Sequence, residues 1–238
     1  MIAEHTRRVA CAQKILMVLA ARYPRHAPQL AARNAWELLV ATVLAAQCTD
    51  TRVNTITPEL FRRWPGPQEL ATADQTELES VIRSAGFYHS KAKNLLGAAV
   101  RVRDVFDGRV PDSLENLTSL PGVARKTANV VLFGAYGRNE GLAVDTHVKR
   151  IAYRLGLTDQ TDPDRVEQDL IVLFPRREWG NVNHRMVLFG RDICHARYPC
   201  CNECEMNVFC PRRACPPSSG RNKPGRGEQP RKTSRRVS

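Results

Sequence analysis

The chain has 238 residues, with 36 Lys+Arg against 24 Asp+Glu and a formal charge of +12. That length builds one medium domain or two small ones with a real core, and 42% apolar and 25% charged residues exclude an acidic disordered chain. No stretch approaches the roughly 20 apolar residues of a membrane span, and the N-terminus lacks a signal-peptide pattern, so membrane and secreted proteins are set aside and the basic balance points to a polyanion such as nucleic acid.

Apolar residues recur at helical spacing nearly throughout, and no run alternates with period two, which predicts an all-α fold. The first helix is expected over about Glu4 to Tyr23, carrying Val9, Ile15, Leu16, Val18 and Leu19. Ala35 to Ala46 follows, and then a segment opening after Asp50. Asp74 with Glu77, and Asp112 with Glu115, have the spacing of N-caps with an acid three residues on. Pro65-Gly66-Pro67, Gly86, Asp107-Gly108, Pro121-Gly122 and Gly137 punctuate the helices.

Leu120-Pro121-Gly122-Val123-Ala124-Arg125-Lys126-Thr127-Ala128 reads as a tight turn between two helices. A helix that starts at such a turn offers free N–H groups and a positive dipole end to a phosphate. An ordinary packing hairpin would have the same turn. Lys126 adds a distinguishing feature, because a charged amine in a first helical turn is electrostatically disfavoured, and a depressed lysine makes a nucleophile. Val144-Asp145-Thr146-His147-Val148 places Asp145 as the N-cap of a helix through Leu155. The same carboxylate could partner a lysine nucleophile or stabilise positive charge on a reacting sugar. His147 by residue type alone is a structural histidine.

Six of the eight cysteines lie between Cys194 and Cys215. Clustering at one end of a chain without a signal peptide predicts a metal site in a reducing cytoplasm rather than a disulfide framework. Cys194, Cys201, Cys204 and Cys210 have the density of an iron–sulfur or a zinc site, and their uneven spacing favours the cluster. Cys200 could replace Cys201 in this register, while Cys215 reads as a spare thiol. From Pro211 onward there are five Pro, three Gly and nine Lys/Arg against one acid, so residues 211–238 are expected to be a disordered basic tail. That tail carries +8, which leaves +4 for residues 1–210.

Together these motifs resemble the endonuclease III family of helix-hairpin-helix DNA glycosylases, from about Arg8 to Cys210. Leu38 to Asp50 looks like that family's early helix and its Ala-Gln-x-Thr-Asp end. Leu120 to Val131 is similar to its hairpin, with Lys126 at the Schiff-base lysine, and Val144 to His147 to the segment bearing the catalytic aspartate, here Asp145. The four cysteines match the spacing of its 4Fe–4S cluster.

The resemblance implies two helical lobes flanking a DNA-binding cleft. A six-helix barrel with the hairpin spans 28–138, and a discontinuous cluster domain comprises 1–27 and 139–210. It also implies a monomeric, cytoplasmic, nucleoid-associated repair enzyme acting on double-stranded DNA with damaged pyrimidines or abasic sites. The target nucleotide is flipped out because its anomeric carbon is unreachable within the stack. Lys126 attacks C1′ and expels the base, and elimination then cuts the strand. Gln47 falls on the residue that fills the vacated gap, and Phe87 falls on an apolar wedge that is commonly Leu. Pro121, Gly122, Val123, Ala124, Arg125 and His147 join them as DNA contacts, and Arg197 reaches phosphate from the cluster loop.

One departure is Ala124, where the family hairpin has Gly; if that position needs positive φ or close phosphate approach, Ala weakens the hairpin and Ala124→Gly tightens DNA binding. The alternatives are a monofunctional adenine glycosylase, which generally lacks the lysine, a non-catalytic iron–sulfur DNA-binding protein, and a zinc module.

Overall fold

The computed structural model describes residues 2–24 and 30–215, and among them there are helices and no strand. In chain order the α-helices are α1 (Ile2–Arg22), α2 (Ala35–Leu44), α3 (Asp50–Arg63), α4 (Pro67–Leu70), α5 (Gln75–Ile82), α6 (Tyr88–Val105), α7 (Leu114–Thr118), α8 (Arg125–Tyr136), α9 (Thr146–Arg154), α10 (Pro163–Ile171) and α11 (Trp179–Asp192). Short 3₁₀ turns lie at Arg83–Ala85, Arg176–Glu178 and Cys201–Glu203.

Side-chain caps set most starts. Asn34 accepts from the Glu37 N–H at 2.9 Å, and the Glu37 carboxylate takes the Arg33 N–H at 2.8 Å, which opens α2. Asp74 caps α5 as expected, at 2.9 Å from the Glu77 N–H. The expected cap at Asp112 is displaced by one residue. α7 begins at Leu114, so the extended Ser113 is the residue whose hydroxyl reaches the Asn116 N–H, at 3.3 Å. Asp112 instead pairs with Arg138 at 2.9 Å.

Two separate apolar cores result. The first gathers α2 to α8, with α2 nearly surrounded: Trp36, Leu39, Val40, Ala41, Val43 and Leu44 are all buried. α8 lies along α2 at close range, because a Cβ on Gly134 would come within 2.7 Å of Leu38 Cδ2. The second core joins Ala12, Ile15 and Leu19 of α1 to residues between Leu142 and Met206. Every fully buried Leu or Ile in these cores contributes on the order of 1.5–3 kcal/mol. α11 spans the two lobes, packing on α1, α8 and α9, and the Arg191–Asp50 ion pair at 2.9 Å ties it to α3.

The expected disorder from Pro211 does not begin there. Residues 211–215 pack on the second lobe: the Arg213 N–H donates to the Arg154 carbonyl at 3.3 Å, and its guanidinium pairs with Asp159. The Arg154 carbonyl at the end of α9 lies beyond the intrahelical ladder, and the Arg213 N–H supplies it with a donor. The rest of the expected tail, 216–238, lies outside the described residues.

Candidate functional site

The turn between α7 and α8 is built around Pro121 and Gly122. Gly122 has φ +75, and a Cβ there would come within 2.7 Å of Asn94 Cβ. Pro121 sits over α6, where a Cβ on Gly97 would meet Pro121 Cγ at 3.1 Å. Val123 is buried, so of this residue the backbone alone can face a ligand. Ala124 has φ −80 and ψ 167, ordinary extended backbone, so the conformational strain expected for alanine here does not arise. It is the N-cap of α8 and makes no side-chain cap bond. The first-turn N–H groups of α8 are therefore uncapped at the positive end of a twelve-residue helix, a ready site for an anion.

Lys126 stands exposed on that first turn, and among the described residues its amine makes no hydrogen bond or ion pair. Arg125 beside it is turned away: its guanidinium donates to the Glu167 carboxylate at 2.9 Å. Glu167 of α10 is 6% exposed and also accepts from the Leu142 N–H at 3.1 Å and Asn129 Nδ2 at 3.4 Å. One buried carboxylate thus links the start of α8, which bears Lys126, to the strand of chain leading into Asp145.

Asp145 is the N-cap of α9, and its Oδ1 accepts from the N–H groups of His147 (2.9 Å) and Val148 (2.8 Å). The cap and the functional reading are compatible, because both bonds go to one carboxylate oxygen. His147 feels the charge of both candidate residues. Burial above all holds its pKa below the usual 6.5; Asp145 opposes this, and Arg150, Arg191 and Lys126 add to it. Lys126 and Asp145 therefore both lie within electrostatic reach of one imidazole. Arg150 Nη2 approaches His147 Nδ1 at 3.2 Å, which suits a neutral ring accepting at that nitrogen.

The remaining candidates face outward. Gln47 is exposed with φ 56, just beyond the end of α2. Phe87 is 67% exposed with φ 48, at the start of α6. Left-handed backbone is uncommon for non-glycine residues, and here it occurs at both residues read as wedges. Arg197 is exposed on the loop after α11.

Cys194, Cys201, Cys204 and Cys210 line one cavity, walled by Leu155, Phe189, Ile193 and Pro199. Cys200 is not in that lining. Cys215, read from sequence as a spare thiol outside the site, is in it, carried there by the ordered 211–215 segment. Among the described residues no three His, Cys, Asp or Glu side chains converge where one metal ion could sit. Cys194, Cys201, Cys204 and Cys210 around one cavity supply the thiol donor set of an iron–sulfur or a zinc site. Burial pushes the Cys210 thiol up to about 11 and the Cys204 thiol upward too, so a bound metal's charge is what would ionise them.

Two arginines missed by sequence reasoning organise this region. The buried Arg154 donates to the carbonyls of His195 (2.7 Å) and Ala196 (2.8 Å) and approaches Cys194 Sγ at 3.4 Å. Arg150, one turn earlier, donates to the carbonyls of Cys194 (2.9 Å) and Gly190 (3.1 Å). Their detectable signal is position, since Arg154 follows Ile151 by three residues on the buried face of α9.

The chain thus combines a helix-hairpin-helix, an uncapped helix end bearing Lys126 and a cavity lined by five cysteines. The profile of the HhH-GPD superfamily of base excision DNA repair proteins matches residues 40–176. Endonuclease III of Synechocystis sp. is 50% identical over 200 residues, covering 84% of this chain and 91% of its own. Endonuclease III of Bacillus subtilis is 39% identical over 189 residues, covering 79% and 86%. A solved non-covalent endonuclease III–DNA complex superposes with a TM-score of 0.80 at 40% identity, over 84% of this chain and 95% of that one. The chain belongs to the endonuclease III family.

Proposed function

We propose that this protein is a bifunctional DNA glycosylase and abasic-site lyase that removes damaged pyrimidines in base-excision repair. The observation that carries the reading is Lys126, an amine with no ion pair among the described residues, at the uncapped start of α8 and, like Asp145, within electrostatic reach of His147. Its similarity to endonuclease III, including a trapped endonuclease III–DNA covalent intermediate at 40% identity and a TM-score of 0.80, supports a lysine adduct here.

As its free base, Lys126 Nζ forms a bond to C1′ of a flipped nucleotide while the C1′–N bond breaks and the electron pair leaves with the base. Ring opening gives an iminium ion; loss of a C2′ proton and cleavage of the C3′–O bond cut the strand, and water then releases Lys126. In this reading the second oxygen of Asp145, left outside the cap bonds, accepts a proton or stabilises positive charge at the sugar. Backbone N–H groups around Gly122 to Lys126 hold a phosphate, since the Arg125 guanidinium is committed to Glu167. Gln47 and Phe87 occupy the gap left by the flipped nucleotide, and His147 and Arg197 complete the DNA contacts.

Cys194, Cys201, Cys204 and Cys210 would hold a 4Fe–4S cluster, whose contribution is charge and cross-linking that shape the 195–200 loop. The two cores support a division into a hairpin lobe of 28–138 and a cluster lobe of 1–27 and 139–210. The enzyme acts as a monomer on chromosomal DNA in the cytoplasm. No helix among the described residues is long and apolar enough to cross a membrane. Lys126 argues against a monofunctional adenine glycosylase.

Borohydride reduction in the presence of abasic DNA tests the reading. Wild type should give a covalent adduct that Lys126→Ala abolishes, and wild type without an adduct would overturn the lyase assignment.

A further inference from the structure

Lys91 has no role in the chemistry above, yet it is 6% exposed on the buried face of α6, in line with Leu95, Ala98 and Val102. Among the described residues no carboxylate pairs with it. A buried ammonium without a counter-ion is costly, so its partners identify what it does. Its Nζ donates to the Leu44 carbonyl at 2.8 Å and to the Ala85 carbonyl at 2.9 Å. Its backbone N–H donates to the Phe87 carbonyl at 3.0 Å.

Those acceptors share a character. Leu44 is the last residue of α2, and Ala85 ends the 3₁₀ turn after α5. Carbonyls at helix ends lack intrahelical donors and carry the negative end of the dipole, where a cation is favourable. Gln47 follows Leu44 by three residues and Phe87 follows Ala85 by two, and both are left-handed. Held by one nitrogen, the two chain ends from which these side chains are launched cannot shift independently.

We propose that Lys91 is a positioning residue for duplex opening: its buried ammonium couples the Gln47 and Phe87 turns, so that both side chains enter the DNA stack in one fixed register. The proposal rests on the reading of Gln47 and Phe87 as wedges, and the test separates the two. Holding two strained turns by hydrogen bonds to their preceding carbonyls lowers the entropy lost when the wedge inserts.

The probe is a duplex with a non-cleavable tetrahydrofuran abasic analogue beside 2-aminopurine, whose fluorescence rises when it unstacks. Protein is added to saturation, judged by anisotropy. Wild type should raise the fluorescence, and Gln47→Ala and Phe87→Ala should each reduce the rise. Lys91→Met, near-isosteric and neutral, should still bind the duplex and keep its helical circular dichroism, but lose most of the rise. Lys91→Gln keeps a donor for one carbonyl; it should retain part of the rise, and it decides the matter if the Met variant is unstable. A full rise from either folded variant would overturn the role of Lys91 and leave the wedge reading intact. No rise from saturated wild type would overturn the wedge reading and the proposal with it. A merely structural lysine would lower thermal stability while the saturated folded protein gave the wild-type rise.

Discussion

The link between Arg125 and Glu167 decides whether the residue beside Lys126 serves the duplex or the fold. Arg125→Ala removes the guanidinium from a carboxylate that is 6% exposed and leaves it, among the described residues, the Leu142 N–H at 3.1 Å and the weak Asn129 contact at 3.4 Å. Breaking a fully buried pair from one side costs about 3–5 kcal/mol. The Arg125 side chain is 47% exposed, and two donors remain, so the expected loss is smaller, about 2–3 kcal/mol, or roughly 5–10 °C in Tm. Glu167→Gln keeps the shape and an acceptor for Leu142, and should cost only about 1 kcal/mol. The double variant should then be more stable than Arg125→Ala alone by about 1 kcal/mol, because the stranded charge is gone. Thermal unfolding of the four proteins, with a salt titration of DNA affinity, reads both alternatives. If Arg125→Ala leaves Tm unchanged and instead lowers the salt slope by about 0.9, the arginine is a phosphate contact and the argument from Glu167 fails.

Gly122→Ala should weaken the hairpin by more than about 1 kcal/mol, since it combines a left-handed backbone with a clash at Asn94, and DNA affinity should fall with it; unchanged binding in a titration would refute the built turn. His147 should titrate below 6.5 by NMR. Because the unfolded chain takes up that proton near 6.5 and the folded one only at lower pH, stability falls as pH drops through this window and is unaffected above it. A midpoint at or above 6.5 would contradict the buried neutral ring. Residues 216–238 carry seven Lys/Arg and Glu228. Ending the chain at Cys215 should flatten the salt dependence of DNA binding by up to about 5 slope units while sparing single-turnover cleavage, and an unchanged slope would assign the affinity to the folded lobes.

Features written within one turn of chain were legible in the sequence. Asp74 and Asp145 cap helices because a side chain reaches an N–H three residues on, and Gly122 marks its turn because only backbone freedom allows φ +75 there. The helical period and the cysteine spacing belong to the same kind. Even within this range a one-residue slip occurred at Asp112 and Ser113, since two adjacent residues had the chemistry of a cap and packing chose between them.

What the tertiary structure decided concerns charges on apolar stripes. Lys91, Arg154 and Glu167 each occupy a core position of an amphipathic helix, and each finds its acceptors or donors far along the chain: Leu44, His195 and Arg125. The same applies to the return of Cys215 to the cysteine cavity. The sequence by itself determined an all-helical, lysine-bearing, cysteine-clustered chain, because those signals are local or compositional, and its resemblance to endonuclease III implied DNA repair. How the wedge turns, the start of α8 and the cluster loop are held required the fold, because a buried charge is stabilised by groups that only folding brings within hydrogen-bond distance.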